Sequence, residues 1–88
     1  MPRYMITRTL PPLTPEQLEA VRLKSAGVVK EMGLKWVRSH ISADGKFSFC
    51  EYEAETEEAV REHARRAGVP IDHIIPLGLE LGPSFMRA

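Results

Sequence analysis

Six side chains in this sequence stand out as candidates for chemistry: His40, Cys50, Glu51, Tyr52, His63 and His73. His63 has alanines four residues before and after it, Ala59 and Ala67, which places it in the apolar arc of a helix and turns it toward a sheet. A buried imidazole needs a partner, and Cys50, Tyr52 and Ser39 are available on the facing strands. Three readings follow for His63: a hydrogen-bonded core residue, a metal ligand beside Cys50, or an acid/base group working with Tyr52 or Cys50. His40 lies diagonal to Glu51 across a hairpin, within reach of a shared ion if the rotamers converge. Two ligands from one chain make a weak site. A two-fold dimer would bring second copies of His40, Glu51, Glu53 and His73, enough for a nickel, zinc or copper shell. No HxxxH, CxxC or HExxH spacing occurs, so no motif establishes metal binding.

These residues must be positioned by a hairpin. Residues 34–54 read as two alternating strands joined at Asp44-Gly45. A plain register puts Trp36, Arg38, His40, Phe47, Phe49, Glu51 and Glu53 on one face and Val37, Ser39, Ile41, Ser48, Cys50, Tyr52 and Ala54 on the other. Only a bulge would break that partition. Arg38 then faces Glu51 as a cross-strand ion pair. Ahead of the hairpin, residues 3–10 alternate as a first strand closed by Pro11-Pro12. Thr14-Pro15-Glu16-Gln17 opens a helix that runs to Met32 and ends at Gly33. Its apolar stripe is Leu18, Val21, Val28, Val29 and Met32, around a small Ser25. Thr56 caps a second helix over 57–67, acidic at its start, basic at its end and closed by Gly68. Residues 74–81 supply a last strand, which Pro76 assigns to an edge.

The order strand, helix, strand, strand, helix, strand predicts an α+β, ferredoxin-like βαββαβ sandwich: a four-stranded antiparallel sheet with both helices on one face. One domain over 1–82 and a short tail over 83–88 account for the chain. Two helices cover one sheet face only, leaving Trp36, Phe47 and Phe49 exposed on the other, so the expected remedy is a face-to-face homodimer.

Composition narrows the functions. A chain of 88 residues buries only roughly two-thirds of its unfolded surface, so association would add welcome burial. Twelve basic and twelve acidic residues leave no net charge to draw nucleic acid or an anionic membrane. Phe47, Phe49 and the intervening residues echo the base-stacking strand of RNA-recognition motifs, but Glu51 and Glu53 share that face and would repel phosphates. RNA binding is therefore disfavoured. No segment approaches a membrane span or a signal-peptide core, and the single Cys50 forbids an internal disulfide. The expectation is a cytoplasmic, soluble, unprocessed protein.

Several short motifs carry a resemblance. Met1-Pro2-Arg3-Tyr4, Trp36 and Ser39, then Cys50, Tyr52 and Ala54, then Arg61-Glu62-His63-Ala64 and Gly68-Val69-Pro70 occur in an order that covers nearly the whole chain. In these the sequence resembles the small bacterial nickel-binding, ferredoxin-like family long filed as a domain of unknown function. The resemblance implies a dimer, nickel as the metal, and sequestration or homeostasis in place of catalysis. Within the matching motifs His63 and Cys50 are the good ligand types; His40 and His73 lie outside them. The alternative from the residues themselves is a cofactor-independent enzyme of the dimeric α+β barrel kind, with a small organic substrate between sheet and helices and His63 and Tyr52 moving protons.

Overall fold

The computed structural model describes residues 1–88. Strand β1 (Arg3–Thr9) leads to helix α1 (Pro15–Met32), the hairpin β2 (Lys35–Ile41) and β3 (Phe47–Glu53), helix α2 (Glu57–Ala67) and strand β4 (His73–Leu77). The sheet order is β2-β3-β1-β4, every pairing antiparallel, and both helices lie on one face. This is the ferredoxin-like βαββαβ arrangement that the order of elements predicts.

The helix ends follow local chemistry. The Thr14 hydroxyl accepts from the Gln17 amide while the Gln17 side chain accepts from the Thr14 amide, a complete capping box with Pro15 at the first helical position. Thr56 accepts from the Ala59 amide in the same way. Gly33 and Gly68 close the two helices in the left-handed conformation, at φ 69° and 71°. Ser42 pairs with Phe47 across the β2–β3 turn, and Asp44 accepts from the Ser42 hydroxyl and the Lys46 amide.

The core is the helix-facing side of the sheet: Tyr4 and Ile6 of β1, Cys50 and Tyr52 of β3, then Ala54, with Val60 of α2 packed onto them. The opposite face carries no helix; its Arg3–Glu51 end is flanked by Glu80 and Arg87 from the end of the chain, and its Phe47–Phe49 end is open.

Two expectations are corrected. The pairing runs Lys35 to Glu53 and Trp36 to Tyr52, then resumes at Arg38 with Glu51, so Val37 is an extra residue at a bulge. The bulge reverses the side-chain parity before it, and Trp36 moves from the open face to the helix side. Its ring stacks on Tyr52 with centroids 6.1 Å apart, and its Nε1–H donates to Ser39 Oγ at 2.8 Å. Trp36 is thus no part of the exposed aromatic face, which keeps Phe47 and Phe49. The other correction is at the end of the chain. The strand expected over 74–81 stops at Leu77, before Gly78, and the segment read as a tail contributes to a second hairpin, β5 (Glu80–Gly82) with β6 (Phe85–Arg87), turning at Pro83-Ser84. Arg3 holds this hairpin against β1 through Glu80 at 3.2 Å. Pro76 lies on an edge strand, as expected.

Candidate functional site

Two groups of side chains lie on opposite faces of the sheet. On the helix side, His63 is fully buried, with its ring 5.1 Å from Tyr52. Its Nε2 lies 3.3 Å from the Ser25 carbonyl oxygen on α1, so Nε2 carries the proton and donates, while the buried Nδ1 has no partner. Ser25 is small because α1 must pass this close to α2. Burial holds the imidazole below its ordinary value of 6.5; the Ser25 carbonyl opposes that shift and the nearby Arg8 charge adds to it. Burial likewise pushes the Tyr52 phenol up to about 12, against the pull of Arg8. Cys50 is buried on this side too, its thiol 3.9 Å from Ser48 Oγ.

Beside this cluster lies a cavity of ≈ 630 Å³ between α1 and the β2–β3 hairpin. Leu18, Val21 and Ser25 of α1 form one wall and Trp36, Ser39, Cys50 and Tyr52 another. Arg8 contributes to the lining although it is only 4% exposed. Its guanidinium carbon stands 5.9 Å from the centre of the Tyr52 ring, and its Nε and Nη2 are buried without an acceptor. Sequence reasoning passed over Arg8. The signal was its parity: in a strand whose Tyr4 and Ile6 face the core, residue 8 must do so as well.

On the open face, register brings His40 and His73 into one cross-strand row. His40 pairs with Phe49, Phe49 with Thr7, and Thr7 with His73. The two imidazoles therefore stand at opposite edges, three strand spacings or roughly 14 Å apart, too far to share an ion within one chain. Glu51 is drawn to two guanidinium groups, Arg3 at 3.8 Å and Arg38 at 3.9 Å, and Glu53 to Lys35 at 3.2 Å. The Arg38–Glu51 pair is the one register predicts.

The residues named as possible metal ligands are thus divided: His63 and Cys50 under the helices, His40, His73 and Glu51 on the uncovered face. Nowhere in the chain do three His, Cys, Asp or Glu side chains converge as a metal shell. The acid/base pair of the enzyme reading is in contact, but Tyr52 lines the cavity and His63 does not, its protonated nitrogen being committed to Ser25. No helix is long and apolar enough to cross a membrane.

Comparison with known proteins agrees with this architecture. Residues 4–77 match the family model of the nickel responsive protein SCO4226-like proteins, and the chain belongs to that family. The match ends where β4 ends, leaving the β5–β6 hairpin outside it. No curated protein matches the chain. Among solved structures, SCO4226 from Streptomyces coelicolor A3(2) superposes with a TM-score of 0.78 at 21% identity, over 90% of this chain and 99% of that one, which establishes the shared fold.

Proposed function

We propose that this member of the nickel-responsive family is a cytoplasmic homodimer that holds nickel and performs no reaction on it. The observation that carries the reading is the row His40–Phe49–Thr7–His73 on the helix-free face, at the end away from the C-terminal hairpin. One chain offers no metal shell, so a site must be completed by a second copy. A two-fold axis parallel to the strands, between two facing sheets, lays β2 of one copy over β4 of the other at the same level of the row. His40 of each copy then faces His73 of the other, giving two equivalent imidazole pairs per dimer, with water available for the remaining positions. Neutral imidazoles favour nickel, copper and zinc over magnesium and calcium. The family's description as nickel responsive supports nickel among these. A single buried cysteine and no disulfide suit a reducing compartment.

Calorimetric titration of the tag-free protein tests this. Nickel is expected to bind with a dissociation constant on the order of micromolar or below at neutral pH, to weaken on acidification because protons compete with the metal for its ligands, and to be indifferent to calcium and magnesium. His40→Ala and His73→Ala should each weaken binding, and His63→Ala should not. Unchanged affinity in the His40→Ala/His73→Ala double variant would sink the shared site. Loss confined to His63→Ala would move it under the helices.

A further inference from the structure

The cavity between α1 and the hairpin has an unusual wall. Arg8 is a cation in the interior, yet no carboxylate lies within ion-pairing distance of it. The other arginines in the lining are committed: Arg22 to Glu19 and Arg38 to Glu51. Burying a charge without a partner is costly, and the penalty falls on this residue alone. Its two unsatisfied nitrogens, Nε and Nη2, share one edge of the guanidinium, the edge that meets a planar carboxylate with two parallel hydrogen bonds. Neighbouring groups do not supply the missing charge, since the Tyr52 phenol stays neutral up to about pH 12. The lining is mostly apolar and aromatic, Leu10, Leu18, Val21 and Trp36 among it, with Ser25, Ser39 and Ser48 as neutral polar points and its one carboxylate, Glu19, paired with Arg22. At ≈ 630 Å³ it has the volume typical of small-molecule sites, about 300–1,000 Å³.

We propose that this cavity binds a small organic monocarboxylate with an apolar body, its carboxylate paired with the Arg8 guanidinium and its body against Trp36 and Leu18. One unpaired cation calls for one negative charge, which favours a carboxylate over a dianionic phosphate ester. The site lies under the helices, away from the uncovered sheet face, so it operates independently of nickel.

The probes are octanoate, its neutral isostere octanamide, and hexyl phosphate, titrated by calorimetry and by the emission of Trp36, the chain's single tryptophan, which lines the cavity. Octanoate should bind and shift the emission, with octanamide weaker by on the order of tenfold or more, as loss of a charge-assisted pair implies. Arg8→Met should abolish the discrimination while keeping or raising the melting temperature, because it removes an uncompensated buried charge. Val21→Phe, which narrows the cavity, leaves Arg8 in place and keeps Trp36 as the single tryptophan, should weaken octanoate binding and exclude adsorption to the exposed phenylalanines. Equal binding of octanoate and octanamide, no response to either, or preference for hexyl phosphate would each overturn the proposal. The wild-type comparison decides the role of charge even if a variant fails to fold.

Discussion

At the scale of single residues, the fold depends on a histidine it keeps neutral. His63 touches three elements at once: its own helix α2, the Ser25 carbonyl of α1 and the Tyr52 ring of β3. Because burial lowers its proton affinity below the ordinary 6.5, the unfolded chain takes up a proton before the folded one does as pH falls. Stability is therefore complete above about pH 6.5 and is lost on acidification from there toward the lowered folded-state value, below which the loss stops growing. The carboxylates whose values are lowered by their partners, Glu19, Asp44 and Glu80, titrate beneath 4.5 and Tyr52 only near 12, so neither affects this window. Melting temperatures followed from about pH 8 to about pH 5 should fall across it in the wild type. His63→Gln, which retains a side-chain N–H for Ser25, should start lower by about 1–3 kcal/mol and lose that slope. A slope that persists in His63→Gln would assign the acid sensitivity to another group.

At the scale of elements, the bulge at Val37 decides what the sheet presents on each side. It carries Trp36 onto Tyr52, where the indole finds Ser39 as acceptor and walls the cavity. Deleting Val37 should restore plain alternation, swing Trp36 to the open face and cost about 2–4 kcal/mol, most of the value of burying a large aromatic. Red-shifted Trp36 emission together with a lower urea midpoint checks this; unchanged emission would mean that the strand re-bulges elsewhere. The same element marks the boundary of what the sequence discloses. Caps at Thr14 and Thr56 and glycines at Gly33 and Gly68 are local chemistry, and both helices could be read from them. The inward turn of His63 was equally legible from Ala59 and Ala67, and the burial of Cys50 from the alternation of β3. The bulge was not, because Val37 is an ordinary strand residue and the reversal of parity arises from pairing with β3, not from composition. The alignment of His40 with His73 was also hidden, since it requires the register of β4 on β1, set by partners some 66 residues apart in sequence between Thr7 and His73. The cavity depends on how far the Leu18 end of α1 stands from β2, a packing distance that periodicity does not encode.

At the scale of the whole molecule, the helix-free face is the unfinished part, at the end that the C-terminal hairpin does not reach. Phe47 and Phe49 are each 44% exposed and Ile75 48%, on the same side of the sheet as His40 and His73. Exposed apolar side chains gathered on one face are what a self-associating protein presents. Light scattering should find a dimer at micromolar concentration, and Phe49→Glu should yield a monomer that remains folded, because Phe49 lies outside the buried core and Trp36 is on the far side of the sheet. Trp36 emission in Phe49→Glu should accordingly match the wild type. If the nickel site is shared between copies, metal and association are thermodynamically linked: each must strengthen the other by the same factor. Nickel should then shift the dimer to lower dissociation concentrations, and apparent nickel affinity should fall as the protein is diluted below its dimer dissociation constant. Phe49→Glu should lose high-affinity nickel binding although it keeps all three histidines, and should still bind octanoate in the cavity. An intact Phe49→Glu dimer would place the interface on another surface, and full nickel affinity in a monomeric Phe49→Glu would show that a single chain builds the site, leaving the uncovered face to serve association alone.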